Sequence, residues 1–329
     1  TDLNKFYLWA YLHGSFGQKL MWRSASQTGQ PHLTLNSIGD IHVPEYSMAL
    51  QEAIEELYNR SVYLKQASQQ NYDKAADIFE TALGITQIPG TAVSVKNFSD
   101  SFVKTGRLDS EYYQPKFDVL FDALEKFPNK RLGGNDGIVD IRKSIEPGSE
   151  AYKEEGIPFV RVSDISKYEI TPPEIFLSHD IVEDVEALFP KKDTILFSKD
   201  GSVGIAYKLE RDEDIVTSGA LLHLTVRNTS EILPDYLTLV LNSTAVQMQA
   251  ERDSNGAVIQ HWKPSEIENV IVPVLDIDKQ KELSEMVQKS FALRHQSKQL
   301  LEYAKQAVEM AIEQGEDTAL AWLKERTGE

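Results

Sequence analysis

Apolar positions in two stretches of the chain recur at alternating spacings of four and three. In the first, Leu50, Ile54, Leu57, Ser61, Leu64, Ser68, Asn71, Ala75, Ile78 and Ala82 fall on one stripe. In the second, Leu283, Met286, Ser290, Leu293, Ser297, Leu300, Ala304, Ala307 and Ala311 do the same. This is the repeat of a coiled-coil seam, and it predicts two long helices packed on one another. Both seams hold serine at the same two positions and thin to alanine beyond them, which predicts close backbone approach there. For either stretch alone, an amphipathic helix on a globular core is the alternative reading.

The two ends of the chain also match in one ungapped register. Adding 229 pairs Tyr7 with Tyr236, Leu12 with Leu241, Gln18 with Gln247, His32 with His261 and Ile38 with Ile267. The register continues through Val43 and Val272, Pro44 and Pro273, Gln51 and Gln280, Ser61 and Ser290, Ser68 and Ser297. Two copies of one structural unit follow. Each copy reads as a short helix, a Gly-containing turn, a short apolar strand ending in proline ("IGDIHVP", "IENVIVP"), and then the long helix. Proline at the strand end stops sheet pairing, because it lacks the donor.

Between the copies, residues from about 91 to 232 read as mixed α/β. A helix around "DSEYYQPKFDVLFDALEKF" precedes short strands at "GIVDIRKSI", "IPFVRVSDI", "DTILFSK", "VGIAYKL" and "ALLHLTVR". Gly, Pro and Asp turns separate them. The predicted fold class is therefore mixed α/β (α+β): a curved, mostly antiparallel sheet with loops on one rim, plus long antiparallel coiled-coil helices.

Composition narrows the chemistry. With 51 Asp and Glu against 34 Lys and Arg, the formal charge is −17, not the basic footprint of a protein that binds nucleic acid alone. The absence of cysteine excludes disulfides, thiolate metal sites and a cysteine nucleophile. The longest apolar run, Gly219 to Val226, is far too short to span a bilayer. The chain opens at Thr1 without a basic-then-apolar leader, and we read it as beginning partway through a gene with no signal peptide. Glycine-rich phosphate loops, a nucleophile elbow and H-E-x-x-H are all missing from the sequence, a combination that favours a binding protein over an enzyme.

Four segments carry candidate binding residues. "SKDGSVG" is a Gly-x-x-Gly loop, with Lys199, Gly201 and Ser202 able to approach phosphate, although a plain hairpin turn explains it equally. "PFVRVSDIS" places Arg161 and Ser163 on one side of an alternating strand, where Arg161 either reads guanine or pairs with Asp164. "SNGAVIQHWKP" gathers Asn255, Gln260, His261 and Lys263 on a turn, with Trp262 as a stacking or a core residue. "VKTGRLDSEYY" offers Lys104 and Arg107 ahead of a helix whose Tyr112 and Tyr113 read as packing.

The order "RLDSEYYQPKFD", "GIPFVRVSDIS", "TILFSKDGSVGIAY", "NGAVIQHWKPSEIENVIVPV" and "DKQKELSEMVQKS" resembles the specificity (S) subunit of type I restriction-modification systems over essentially the whole chain. The resemblance implies a non-catalytic, prokaryotic, cytoplasmic subunit that reads one half of a bipartite double-stranded DNA target. Its partners would be two methyltransferase (M) subunits and the restriction (R) subunits. No cofactor would sit in this chain, S-adenosylmethionine belonging to the M subunits. Residues 1–44 would be the closing part of a first target-recognition domain, 45–86 the central helix and 91–273 a second domain. The distal helix would be 276–313, and 314–329 a C-terminal tail. Leu50, Ile54, Leu57, Ser61, Leu64, Ser68, Leu283, Met286, Ser290, Leu293 and Ser297 would form the seam on which partners dock. We expect an N-terminally truncated fragment; self-pairing of a half-length form is the alternative. Over residues 91–230, 18 Lys and Arg face 25 Asp and Glu, so poor DNA affinity in isolation is expected. The competing functions are a methyltransferase or nuclease with its own active site, and a coiled-coil or RNA-binding adaptor with a KH-like Gly-x-x-Gly loop.

Overall fold

A computed structural model of the protein describes residues 3–25, 31–85, 93–254, 256 and 260–328. Its helices are Lys5–His13 (α1), Ser15–Ser24 (α2), Leu35–Gly39 (α3), Met48–Leu83 (α4), Phe102–Thr105 (α5), Pro115–Glu125 (α6), Pro234–Leu241 (α7), Thr244–Asp253 (α8), Pro264–Ile267 (α9), Ile277–Gln314 (α10) and Glu316–Thr327 (α11). The strands are Asn129–Arg131 (β1), Val139–Lys143 (β2), Tyr152–Lys153 (β3), Ile157–Val160 (β4), Ile165–Ser166 (β5), Glu169–Ile170 (β6), Phe176–Leu177 (β7), Ile195–Ser198 (β8), Ala206–Lys208 (β9), Val216–Thr217 (β10), Leu221–Val226 (β11) and Ile271–Pro273 (β12). The chain divides into two units, residues 1–71 with 289–329, and residues 72–288.

In the first unit, α4 and α10 pack antiparallel. Ser61 meets Ser297 at 3.0 Å between hydroxyls, and seven residues further on Ser68 meets Ser290 at 3.1 Å. The numbers rise on one helix as they fall on the other, and a hydroxyl contact this short brings the two backbones together, as the serine positions predict. Leu50, Ile54 and Leu57 are buried with Ala304, Ala307, Val308 and Ala311 in one cluster that also holds Tyr7, Ala10 and Tyr11 of α1. Leu64 and Leu293 are half-buried on the same stripes. The segment 314–329, expected to be a tail, forms α11, which closes the cluster with Ala319 and Leu323. Gly315 (φ 95°) makes the break between α10 and α11 in a conformation that favours glycine.

The second unit holds the sheets. β2, β11, β8 and β9 form an antiparallel sheet in the order β2-β11-β8-β9. A second sheet runs β10-β4-β7-β3, antiparallel except for the β10·β4 pair. β1·β12 and β5·β6 are two-stranded ribbons. The mixed, mostly antiparallel character is as expected, but the single curved sheet is replaced by four smaller ones. Strands of two to six residues end at 3₁₀ turns such as Val162–Asp164 before they can register with a further neighbour.

The repeat is visible bond by bond, each copy within its own unit. Tyr7 Oη donates to the Pro44 carbonyl (2.6 Å), and Tyr236 Oη to that of Pro273 (2.9 Å). Gln51 donates to Tyr46 O and accepts from Asn4 N; Gln280 donates to Leu275 O and accepts from Leu233 N. Gln18 donates to Leu12 O as Gln247 does to Leu241 O. Every one of these pairs is separated by the same 229 positions.

Two expectations change. "IHVP" in the first copy is not a strand, whereas "VIVP" in the second pairs with β1 as β12. A strand requires a partner for its donors and acceptors. The seam also drifts along α4: beyond Ala75 the buried residues are Phe79 and Leu83, not Ile78 and Ala82. A straight helix rotates about 20° per heptad against a 3.5-residue repeat. Here the drift turns Phe79 onto Tyr236 of α7, ring centroids 6.0 Å apart. On α10, Leu283 and Val287 are buried and Met286 half-buried. The expected boundaries at residues 86 and 91 lie outside the described residues.

Candidate nucleic-acid interface

The Gly-x-x-Gly loop joins β8 to β9, and the four residues of β8 are all buried. Gly201 (φ 72°) and Gly204 (φ 84°) both lie in the left-handed region. At Gly204 a Cβ would come within 2.8 Å of Gln247 Nε2, which donates to the Gly204 carbonyl at 2.7 Å. At Gly201 nothing lies within 4 Å of a Cβ position. One end of the loop is thus clamped and the other open. Ser198 Oγ tightens it by donating to Ser202 O (2.6 Å) and accepting from Ile205 N (2.8 Å).

Residues 260–262 run alongside. Gly201 N donates to Gln260 O (2.9 Å) and Trp262 N to Lys199 O (2.8 Å), with Asp200 and His261 opposite each other. Trp262, 1% exposed, packs its ring on Phe197 at 5.8 Å and anchors this segment to the sheet. The core role of Trp262 is the one realised. Lys199 is ion-paired to Asp200, its side chain only 12% exposed, and His261 Nδ1 meets the other Asp200 oxygen at 2.9 Å. Its charge is thus balanced inside the chain. Gly201, Ser202, Gln260, His261 and Lys263 face solvent, with Lys263 3.5 Å from Glu266. Asn255 lies outside the described residues.

Arg161 and Ser163 do not share a strand face. β4 stops at Val160, and Asp164 draws the following turn closed. Its carboxylate accepts from Arg161 N (2.8 Å) and Ser163 Oγ (2.9 Å) and lies 3.6 Å from Arg161 Nε. Val162 packs with Val160, Ile165 and Leu221 below this turn.

Arg107 is likewise held within the chain. Nε and Nη2 donate to the two Asp109 oxygens and Nη1 to the Asp253 carbonyl (3.1 Å). Its guanidinium lies over the Tyr112 ring at 4.6 Å, and Arg252 lies over the same ring at 5.1 Å and over Phe121 at 4.0 Å. Lys104 is exposed beside Asp100 (3.3 Å), whose carboxyl is held below its usual range chiefly by the Lys104 hydrogen bond. The sequence reading named neither Asp200 nor the Arg252–Asp253 pair. The available signals were an Asp directly after Lys199 and an Arg-Asp just before the Asn-Gly turn.

Two buried polar groups support the sheets. His223 contacts Thr217 Oγ1 at 2.8 Å, and burial, helped by the Arg142 charge, pushes its pKa down to about 4. Lys208, 3% exposed, meets Asp193, Glu210 and Asp235 within 3.3 Å and ties β9 to α7. Burial disfavours the Lys208 charge, but these carboxylates outweigh it and raise its pKa. Among the described residues no group of three or more His, Asp or Glu is disposed to hold a metal ion, and no helix is long and apolar enough to cross a membrane.

A comparison with curated proteins returned no match. Among solved structures, the chain is similar to the HsdS subunit from Thermoanaerobacter tengcongensis, at 15% identity over 94% of this chain and 70% of that one, TM-score 0.38. It is similar to the type I restriction-modification system S subunit from M. genitalium, at 16% identity over 98% of this chain and 73% of that one, TM-score 0.44. Residues 134–303 match the family described as type I restriction modification DNA specificity domain. That match takes in more than half of the chain, including both four-stranded sheets, the Gly-x-x-Gly loop and most of α10. The chain belongs to the DNA specificity family of type I restriction-modification systems, whose members are non-catalytic subunits.

Proposed function

We propose that this chain reads one half of a bipartite double-stranded DNA target through residues 91–273 and directs methyltransferase and restriction subunits to it. The observation that carries the reading is the solvent-facing edge where Gly201 and Ser202 lie beside Gln260, His261 and Lys263, on a loop pair braced by main-chain hydrogen bonds. The unobstructed side of Gly201 suits close approach of a phosphate, and Lys263 supplies charge. The Gln260 amide has the donor and acceptor that adenine presents in the major groove. Ser163 and Lys104 are exposed further candidates. Lys199, Arg161 and Arg107 would serve by shaping the loops they pair within. S-adenosylmethionine would be held by the methyltransferase partners, and such an assembly works in the prokaryotic cytoplasm.

The same reading makes α4 and α10 the spacer and docking element, with the seam of residues 50–68 and 283–297 at its centre. A 36-residue helix rises about 54 Å, more than the roughly 34–36 Å between half-sites one DNA turn apart. Residues 1–44 would then be the closing part of a first recognition module, as the hydrogen bonds they share with residues 230–273 support. The acidic balance of residues 91–230 favours a division of labour in which partners supply most of the phosphate-binding charge. The test replaces residues 91–273 in the intact three-subunit system and sequences modified bases in the cell. The modified motif should change at one half-site; an unchanged motif rejects the assignment.

A further inference from the structure

We infer that Arg107 and Tyr112 are positioning residues for sequence recognition, fixing the segment that follows α8 without touching DNA; this rests on the reading of residues 91–273 as a DNA-recognition module. Arg107 directs Nη1 to the carbonyl of Asp253, the last residue of α8. Its other two donating nitrogens are taken by Asp109, so none is left in place for a phosphate. The Asp253 carboxylate holds Arg252 at 2.7 and 3.1 Å, and Arg252 lies over the Tyr112 ring that also carries Arg107. Two arginines and two aspartates cancel in formal charge, which leaves little field to attract DNA at this spot.

The position of the cluster gives it leverage. It grips the chain at residue 253, and the chain next returns at Gln260–Trp262 to pair with the Gly201 loop. Both ends of the segment are therefore fixed, one by this cluster and one by the sheet. Tyr113 Oη donates to Arg107 O (2.9 Å), so the cluster is also bound to the turn ahead of α6. Base discrimination depends on side chains held at hydrogen-bond distance, and releasing one end of the segment that carries them degrades it.

The experiment uses the full chain assembled with its methyltransferase subunits and a random-sequence duplex library, with modified sites read by sequencing. Arg107→Ala and Tyr112→Leu should each raise modification at single-mismatch sites roughly tenfold relative to the cognate site. Tyr112→Phe keeps the ring and should keep the parent's discrimination. The slope of log affinity against log salt should stay at the parent value in all three, and amide exchange should quicken at residues 251–263 but not in β8 or β11. A slope reduced by about 0.9 in Arg107→Ala, with the motif unchanged, would identify a phosphate contact and overturn the proposal. So would an unchanged motif and slope in both Arg107→Ala and Tyr112→Leu. If Arg107→Ala does not fold, the Tyr112 pair makes the same comparison. A parent complex that modifies no preferred sequence rejects the DNA reading itself, a result distinct from the others.

Discussion

The serine pairs between α4 and α10 allow a prediction about proton direction as well as packing. Ser290 Oγ donates to the Ser68 carbonyl at 2.8 Å. Its single proton is thereby committed, so in the 3.1 Å contact between the two hydroxyls Ser68 must be the donor. Ser68 and Ser290 are both 0% exposed, so neither can turn to water. Ser68→Ala removes one hydrogen bond and leaves the Ser290 donation intact, a loss of about 1 kcal/mol. Ser290→Ala removes that donation and also strands the Ser68 hydroxyl, for about 2 kcal/mol once Ser68 turns to a carbonyl of its own helix. In Ser68→Ala/Ser290→Ala no polar group is stranded, so the double variant should cost no more than Ser290→Ala. The singles then exceed the double by about 1 kcal/mol. Urea unfolding followed by far-ultraviolet dichroism, with m-values compared to check cooperativity, measures all four corners of the cycle. Additive singles, or a larger cost for Ser68→Ala, would refute the assigned direction.

Stability should fall as pH drops from about 6.5 toward 4, because unfolded His223 takes up a proton that buried His223 refuses until about pH 4. The slope is about 1.4 kcal/mol per pH unit, and between pH 6.5 and 5 it should largely vanish in His223→Gln, measured by urea midpoints. Trp262→Ala should cost about 3–5 kcal/mol by opening a cavity against Phe197, and amide exchange should show the 199–204 loop released with it. Gly204→Ala should be more damaging than Gly201→Ala. Both meet left-handed backbone strain of about 1–2 kcal/mol, but only Gly204→Ala also displaces Gln247; thermal unfolding ranks the two.

Both long helices, the internal repeat and the mixed α/β middle were legible in the amino-acid order, because each is written in local periodicity and exact spacing. The serines on both seams foretold close approach, and the contacts at 3.0 and 3.1 Å bear this out. The resemblance pointed to the family that the match over residues 134–303 establishes. Tertiary context decided the rest. The near-identical "IHVP" and "VIVP" differ in structure because only the second has β1 beside it, and a strand is a property of two segments. Phe79 and Leu83 replaced Ile78 and Ala82 in the core because α4 meets α7 there as well as its coiled-coil partner. Charges were the least legible of all. Lys199 and Arg161 lie beside the aspartates that bind them, yet proximity in sequence did not reveal whether each cation would turn inward or face solvent. Arg107 reaches a carbonyl 146 positions away. A long flexible side chain has many rotamers, and which one is occupied depends on burial and partners that exist only once the sheets and helices have assembled.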